Sequence, residues 1–442
     1  MTTSSPNDGE LRILATADLH LGRRPSGLPP SSDHTGLSVS AVWRRLVDLA
    51  VDRKVDAVLL AGDVVDAENK FFEALEPLQS GIDELAEHGI DVVAVAGNHD
   101  WDVLPRVAET LDSDRFHLLG RGGDWETFTL EREGRPAVDI AGWSFPDRHV
   151  VSSPLADGRP EVRGDVPTLG LLHADLDVPD SRYAPVQADE LGGADPRHWI
   201  LGHIHAGGKT ELAGGRALYP GSPQPLRPGE SGEHGAVMLD LSGTGTLEVE
   251  RIPTASLRFS DASIDISGVD DDSQLQSHVA SELERRHRRH VEDTPELRTV
   301  VYTLSLTGRT ALHRELTDWI DRLEQQLRLP AVEGVDGHVR TVRLETRPDH
   351  DLEQLAEGSD PPALIAECLL ALDEDRSTDL PVSELVDDTR RALDEQVYRK
   401  NKYRPLRSGD AAEDPPDAEE CAHLLRRQGL LLLDELLDQT DR

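Results

Sequence analysis

Thiols are nearly missing: Cys368 and Cys421 are the only cysteines in 442 residues, too few for a disulfide framework. No apolar run reaches the roughly 18 residues that a membrane-crossing helix needs, so no membrane span is expected. The opening Met1-Thr2-Thr3-Ser4-Ser5-Pro6 is polar and lacks a secretory leader's apolar stretch, which predicts a cytoplasmic protein. Lysine is scarce as well, with only Lys54, Lys70, Lys209, Lys400 and Lys402. Acidic residues number 84 against 46 basic ones, a formal net charge of −38. Affinity for nucleic acid usually rests on basic side chains that neutralise phosphates, so this balance is an obstacle to such a role. Abundant Asp and Glu with little Lys is what a high-salt cytoplasm favours. There the screening length falls to about 3 Å at 1 M salt, and repulsion from a polyanion is muted. The composition therefore predicts a halophilic origin.

Against these absences stands a spaced series of candidate metal ligands. It comprises Asp18-Leu19-His20, Gly62-Asp63, Gly97-Asn98-His99-Asp100, His173 and Gly202-His203-Ile204-His205. Each member follows a short apolar run: Leu11–Ala17, Val55–Ala61, Val92–Ala96, Thr168–Leu172 or Trp199–Leu201. Such runs read as buried strands, which places the ligands at strand ends or in the loops that follow. In a layered α/β fold those loops converge on one rim. Asp18, Asp63 and Asn98 offer oxygen and His20, His173, His203 and His205 offer nitrogen, too many donors for one ion and suited to two that share a ligand. A mixed oxygen and nitrogen set suits Mn, Fe, Zn or Co rather than Ca or Mg. No cysteine lies nearby, which excludes a structural zinc site. A carboxylate-bridged pair of cations activates water and clamps phosphate, so the set fits hydrolysis of phosphate esters. His99 is free for proton donation to the leaving oxygen, with Asp100 as its orienting carboxylate.

The order D-x-H, G-D-x-x-D, G-N-H-[DE], H, G-H-x-H resembles the calcineurin-like metallophosphoesterase superfamily, and all five motifs are present. The resemblance implies an α/β fold: a four-layer β-sandwich flanked by helices, with a small α+β capping domain and C-terminal helices. It implies that Asp18, His20 and His205 hold one divalent ion, that Asn98, His173 and His203 hold a second, and that Asp63 bridges. Mn2+ is the expected metal. The stretches Ala17-Asp18-Leu19-His20-Leu21-Gly22, Ala61-Gly62-Asp63-Val64-Val65-Asp66 and Tyr219-Pro220-Gly221-Ser222-Pro223 are similar to the SbcD branch of DNA-repair exonucleases. That likeness covers about residues 11–252. It implies a metal-dependent DNA exonuclease or endonuclease acting in double-strand-break repair. It also implies an SbcC-like coiled-coil SMC-type ATPase as partner, and a homodimer formed near Leu104–Leu111. Asp66 departs from archaeal and eukaryotic relatives, which carry His there, so the balance of exonuclease and endonuclease activity does not carry over. Asp66 either orients His20 or caps the following helix. Arg23, Arg24 and Arg227 are candidate DNA contacts, with a solvated surface role as the alternative. Another phosphoesterase, acting on a phosphomonoester or a cyclic or dinucleotide, remains open, as does a non-enzymatic adaptor for the ATPase.

Along the chain, residues 1–10 read as a polar leader and 11–252 as the metallophosphoesterase domain. Helical periodicity marks Val39–Ala50 and Phe71–Leu85, and strands dominate after Asp100. Residues 253–350 read as the capping domain, with helices at Gln274–Arg289 and Ala311–Leu327 and strands at Thr299–Leu306 and Val339–Glu345. Residues 351–407 read as helical, 408–416 as a linker and 417–442 as a partner-binding helix dense in leucine. Its alternative is a helix packed on its own domain. The run Arg285-Arg286-His287-Arg288-Arg289-His290 is the only dense basic stretch. It wraps several helix faces and could meet DNA or an acidic partner.

Overall fold

A computed structural model describes residues 10–28, 36–66, 71–111, 113–156, 158–178, 180–320, 329–374, 382–393 and 418–440. The polar leader but for Glu10, and the whole 408–416 linker, lie outside the described residues.

The chain begins with strand and helix in alternation: β1 (Leu11–Thr16), α1 (Val39–Asp52), β2 (Ala57–Ala61), α2 (Phe71–Glu87), β3 (Asp91–Val95) and α3 (Leu104–Thr110). Strands then dominate, with β4 (Phe116–Leu118), β5 (Glu126–Arg132), β6 (Arg135–Trp143) and β7 (Thr168–His173). A short α4 (Ala188–Gly192) precedes β8 (His198–Gly202), β9 (Gly208–Leu212), β10 (Gly215–Tyr219), β11 (Gly235–Leu241) and β12 (Leu247–Pro253). Next come β13 (Leu257–Asp265), α5 (Asp272–Asp293), β14 (Thr299–Thr310), β15 (Leu329–Val332) and β16 (Val335–Pro348). The last described elements are α6 (Leu352–Ala356), α7 (Pro361–Glu374), α8 (Val382–Leu393) and α9 (Ala418–Thr440).

The chain divides into two compact units. One comprises Met1–Ser263, Val279–Ser305 and Leu323–Arg343; the other comprises Ile264–His278, Leu306–Arg322 and Leu344–Arg442. The first unit is built on two six-stranded sheets, ordered β12-β11-β1-β2-β3-β4 and β5-β6-β7-β8-β10-β9. The central strands run parallel, β1 with β2, β3 and β4 in one sheet and β6 with β7, β8 and β10 in the other.

Alternation along the strands explains why the apolar runs are continuous. Ile13, Ala15, Leu59 and Val93 face Ile140, Leu171 and Ile200 of the second sheet across a shared core. Their neighbours Leu14, Val58, Leu60 and Val92 face the other way, onto Val42, Trp43 and Leu46 of α1 and Leu78 and Ile82 of α2. A strand buried on both faces has no polar side to show. On the outer face of the second sheet, Leu172, Trp199 and Leu201 pack with Leu191 of α4 and with Val186. The result is a mixed α/β sandwich of the expected class. Four strands went unforeseen in sequence. β9 reads Gly-Lys-Thr-Glu-Leu and sits at a sheet edge where polar residues meet water; β13, β15 and three-residue β4 are equally mixed or short.

The remaining sheet has four strands, ordered β13-β14-β16-β15. The expected Ala311–Leu327 helix begins instead as a 3-10 turn over Ala311–Arg314, and its last residues lie outside those described. The basic run of α5 forms no single stripe. His287 is buried between the Tyr302 hydroxyl and the Val335 carbonyl. Arg285 and Arg288 are engaged by Glu282 and Glu284 of their own helix. In α3 the apolar Leu104 and Val107 turn into the core.

In the second unit α9 packs on its own neighbours. Gly429 lies against Leu369 of α7, and Cys421 and Leu433 are buried. The Asp434 carboxylate takes Arg309 at 2.9 Å and His350 at 2.7 Å. Burial alone would raise the Asp434 pKa, but these two partners outweigh it and hold the carboxyl below its ordinary 3.8. Its contribution to stability is therefore present above about pH 4 and lost as pH falls through the depressed folded value. Asp434→Ala should cost about 2 kcal/mol at neutral pH, because it strands a half-buried guanidinium. Thermal melting of both proteins at about pH 7 and pH 3 checks this: the gap between them should close in acid.

Candidate metal centre

The anticipated ligands all fall at the carboxyl ends of parallel strands. Asp18 and His20 follow β1, Asp63 follows β2 and Asn98 follows β3; His173 ends β7, and His203 and His205 follow β8. One sheet thus supplies four and the other three, across the top of the shared core. The loops after β1 and β2 are laced side by side. Asp18 N–H donates to the Gly62 carbonyl at 3.1 Å, His20 N–H to Asp63 at 2.9 Å and Leu21 N–H to Val64 at 2.9 Å. Asp18, His20, Asp63, Asn98 and His173 are buried, and His203 and His205 are half-buried.

Close approach explains the glycines of the motifs. A Cβ at Gly97 would run into the Asp63 carboxylate, and one at Gly202 into the Ala61 carbonyl and the His173 ring. Backbone conformation is unusual here too. Asp18, His20, Asp63 and His203 have φ of 52°, 49°, 50° and 98°, a region that costs a side-chain-bearing residue about 1–2 kcal/mol.

Two groups of donors form. Nε2 of His20 and Nε2 of His205 face each other at 3.3 Å, and Asp18 joins them within a cation's reach. Oδ1 of Asn98 lies 3.1 Å from His173 Nε2 and 3.2 Å from His203 Nδ1. Between the groups, Oδ2 of Asp63 sits 3.7 Å from His20 Nε2 and 3.5 Å from His173 Nε2. The proton count tests whether a cation fits. Nδ1–H of His173 donates to the Ala61 carbonyl at 2.9 Å, so its Nε2 bears a lone pair and faces an oxygen that also only accepts. Acceptors converging without a proton repel one another unless a cation sits among them. The residues present fit divalent metal.

Burial governs the titration. It lifts Asp18 to about 7, and the Asp63 charge adds to the rise. At Asp63 burial pushes the same way, but the His173, His20 and His99 rings outweigh it and hold the carboxyl at about 2. Burial drives His20 down to about 3, and lowers His173 and His203.

Asp100 does not orient His99. Its oxygens accept from Gly97 N–H at 2.7 Å, Val64 N–H at 2.7 Å and Val65 N–H at 3.2 Å, so it clasps the loops that carry Asp63 and Asn98. Burial, with the Asp63 charge nearby, raises its pKa to about 8. The His99 N–H donates to Asp63 Oδ1 at 2.9 Å, and its half-exposed ring stands edge-on to His20 at 5.0 Å between centroids. Asp66 is buried, yet the His20 Nδ1 has no hydrogen-bond partner among the described residues. Asp66 therefore does not orient His20; it lies 3.7 Å from Arg23. Arg23 and Arg24 line a cleft of about 320 Å3 with Ser38, Ser40 and Glu73, and Arg24 pairs with Glu73 at 3.6 Å. Arg227 rests on Glu230 at 3.0 Å.

Two site residues were missed in sequence. Glu230 accepts from His205 Nδ1 at 3.0 Å, and Asp175 faces His203 Nε2 at 3.4 Å. Only Asp175's place two residues after His173 hinted at a role. Nothing local marks Glu230.

Comparison with known proteins agrees with this geometry. Residues 11–207 match the calcineurin-like phosphoesterase family, and residues 259–347 match the middle domain of the metallophosphoesterase YhaO. The first matched stretch is the one that carries the converging donors. Over that stretch the fold is that of the calcineurin-like phosphoesterases. An uncharacterized metallophosphoesterase, YhaO of Bacillus subtilis, is 27% identical over 270 residues, covering 58% of this chain and 64% of that protein. The SbcD component of the nuclease SbcCD of Rhodobacter capsulatus is 27% identical over 296 residues, covering 53% and 67%. The DNA double-strand break repair protein Mre11 of Methanopyrus kandleri is 28% identical over 263 residues, covering 54% and 56%. The chain thus spans less than two thirds of the YhaO and Mre11 relatives. Their nearly equal identities do not single out the SbcD branch.

Asp100→Ala would leave three backbone N–H groups without an acceptor, at about 1–3 kcal/mol for each buried group so stranded. We expect a lower melting temperature even in metal-free protein. His99→Ala should melt like the wild type. Differential scanning calorimetry of the two apoproteins separates a loop clasp from a partner of His99.

Proposed function

We propose that the chain hydrolyses phosphodiester bonds at a two-metal centre and that its substrate is DNA. Asp18, His20 and His205 would hold one ion and Asn98, His173 and His203 the other, with Asp63 placed to serve both. The observation that carries this reading is Asp63 Oδ2 lying within 3.7 Å of a ligand from each group. The mixed oxygen and nitrogen donors suit Mn2+. When bound, such a pair supplies Lewis acidity and an activated water for attack on phosphorus. His99 would donate a proton from its half-exposed ring to the leaving oxygen; its backbone N–H bond to Asp63 helps fix where the ring stands. Arg23 and Arg24 hold the neighbouring phosphates, from a cleft that opens beside the first metal motif. The names of the SbcD and Mre11 relatives support DNA as the substrate.

A coiled-coil ATPase of the SMC type is the proposed partner. Leu364 of α7, Leu385 of α8 and Leu424 and Leu432 of α9 are exposed, and helices that show leucine to solvent suit a helical partner. No helix among the described residues is long and apolar enough to cross a membrane.

A second reading, a phosphoesterase for small diesters, is favoured by one observation. The net charge is −38, and Arg24, Arg285 and Arg288 are each paired with Glu, which leaves less positive surface for a long polyanion. The two readings separate on end-labelled linear duplex and bis-(p-nitrophenyl) phosphate, assayed with MnCl2 at low salt and in about 2 M KCl, where repulsion is screened. DNA cleavage supports the first reading; turnover of the small diester alone supports the second. His99→Ala should keep its bound metal, measured by elemental analysis, yet lose about 10²–10⁴-fold in rate. Full turnover in that variant would remove His99 from the mechanism.

A further inference from the structure

Two histidines separated by Ile204, His203 and His205, present opposite ring nitrogens to the centre. His203 turns Nδ1 toward Asn98 at 3.2 Å, whereas His205 turns Nε2 toward His20 at 3.3 Å. The left-handed backbone at His203, φ 98°, lets adjacent rings of one motif point so differently. The outward nitrogen of each ring meets a different carboxylate. His205 Nδ1 is 3.0 Å from Glu230 Oε1, and His203 Nε2 is 3.4 Å from Asp175 Oδ1. An ionised carboxylate only accepts, so the nitrogen facing it carries the ring's proton and the opposite nitrogen keeps the lone pair.

Neither carboxylate is loose. Glu230 Oε2 accepts from the Leu226 N–H at 2.6 Å, and Arg227 Nε donates to Oε1 at 3.0 Å. Asp175 accepts a short hydrogen bond from the Ser181 hydroxyl. Its backbone is tied to the same loop, N–H to the Tyr183 carbonyl at 3.0 Å and carbonyl from the Val186 N–H at 2.8 Å. The Tyr183 ring covers His203 at 4.7 Å between centroids.

We propose that Glu230 and Asp175 are positioning residues that fix the tautomers of His205 and His203, and that each thereby loads a different metal position. The proposal rests on the two-metal reading above. Glu230 governs the position of Asp18, His20 and His205; Asp175 governs that of Asn98, His173 and His203. Orienting carboxylates of this kind typically change metal affinity by about 10–100-fold. They are not catalytic residues, since neither touches the reacting atoms.

The test is calorimetric titration of metal-free protein with MnCl2, joined to nitrogen-15 spectra of histidine-labelled apoprotein, which report tautomers directly. Wild type should bind two ions per chain, with His203 protonated at Nε2 and His205 at Nδ1. Glu230→Ala should weaken one binding event about 10–100-fold and leave the other, with only the His205 tautomer disturbed. Asp175→Ala should weaken the complementary event and disturb only His203. The near-isosteric Glu230→Gln and Asp175→Asn keep an accepting oxygen and should recover much of each loss, which guards against variants that merely fold poorly. Wild type that binds fewer than two ions would overturn the two-metal reading itself. Two ions in wild type, with both alanine variants unchanged or both losing the two events together, would leave that reading standing and overturn this one.

Discussion

Acceptors crowded together without protons are what the rest of this molecule is arranged around. Asn98 Oδ1, His173 Nε2 and His203 Nδ1 meet at about 3 Å, with two carboxylates buried close by. In the absence of a cation such a cluster is repulsive, so the fold must hold it together from outside. It does so by backbone. Asp63 and Asn98 are clasped by Asp100 through three N–H groups, and the loops after β1 and β2 are laced by hydrogen bonds. Four ligands accept left-handed backbone to reach their places. At about 1–2 kcal/mol each, that strain approaches the net stability of a whole domain. It is sustainable only because both sheets bury apolar side chains on both faces.

The same packing explains what could be read from sequence. Continuous apolar runs ending in Asp, Asn or His revealed the strands and the seven candidate ligands that gather at their ends, since a doubly buried strand restricts residue choice. The outer ring of the site was not legible. Glu230 and Asp175 act on histidines 25 and 28 residues away in the chain, and an acidic residue in a chain with 84 of them carries no signal. Asp100 misled for a related reason: adjacency to His99 suggested a pair, whereas the turn directs its carboxylate back at Gly97, Val64 and Val65. Of the two roles open to Asp66, orienting His20 is not seen, and the carboxylate lies beside Arg23 instead.

Charge sets the harder question for a DNA substrate. Basic residues near the centre are few, and most already have an acidic neighbour: Arg23 with Asp66, Arg24 with Glu73, Arg227 with Glu230. A phosphate that engages such an arginine must compete with a carboxylate already in place. The exposed Arg24–Glu73 pair contributes little in water, about 0–1 kcal/mol, so there the competition is winnable, and salt weakens the pair and the long-range repulsion alike. An acidic nuclease would then depend on local contacts at the cleft and on the metals more than on steering from a distance.

Glu230 joins these two themes in one side chain. Its Oε1 carries both His205 Nδ1 and Arg227 Nε. Burial would raise its pKa, yet the hydrogen bond from His205, with that from Leu226, holds it at about 2, so it remains an acceptor throughout the working pH range. Because it stays ionised, it holds a proton on His205 Nδ1. Arg227 is mostly exposed and can leave the carboxylate for a phosphate while the His205 bond persists. One buried carboxylate can therefore hold a metal ligand steady while presenting a replaceable cation at the surface, which is how a strongly acidic protein can offer positive charge beside its centre without loosening the centre itself.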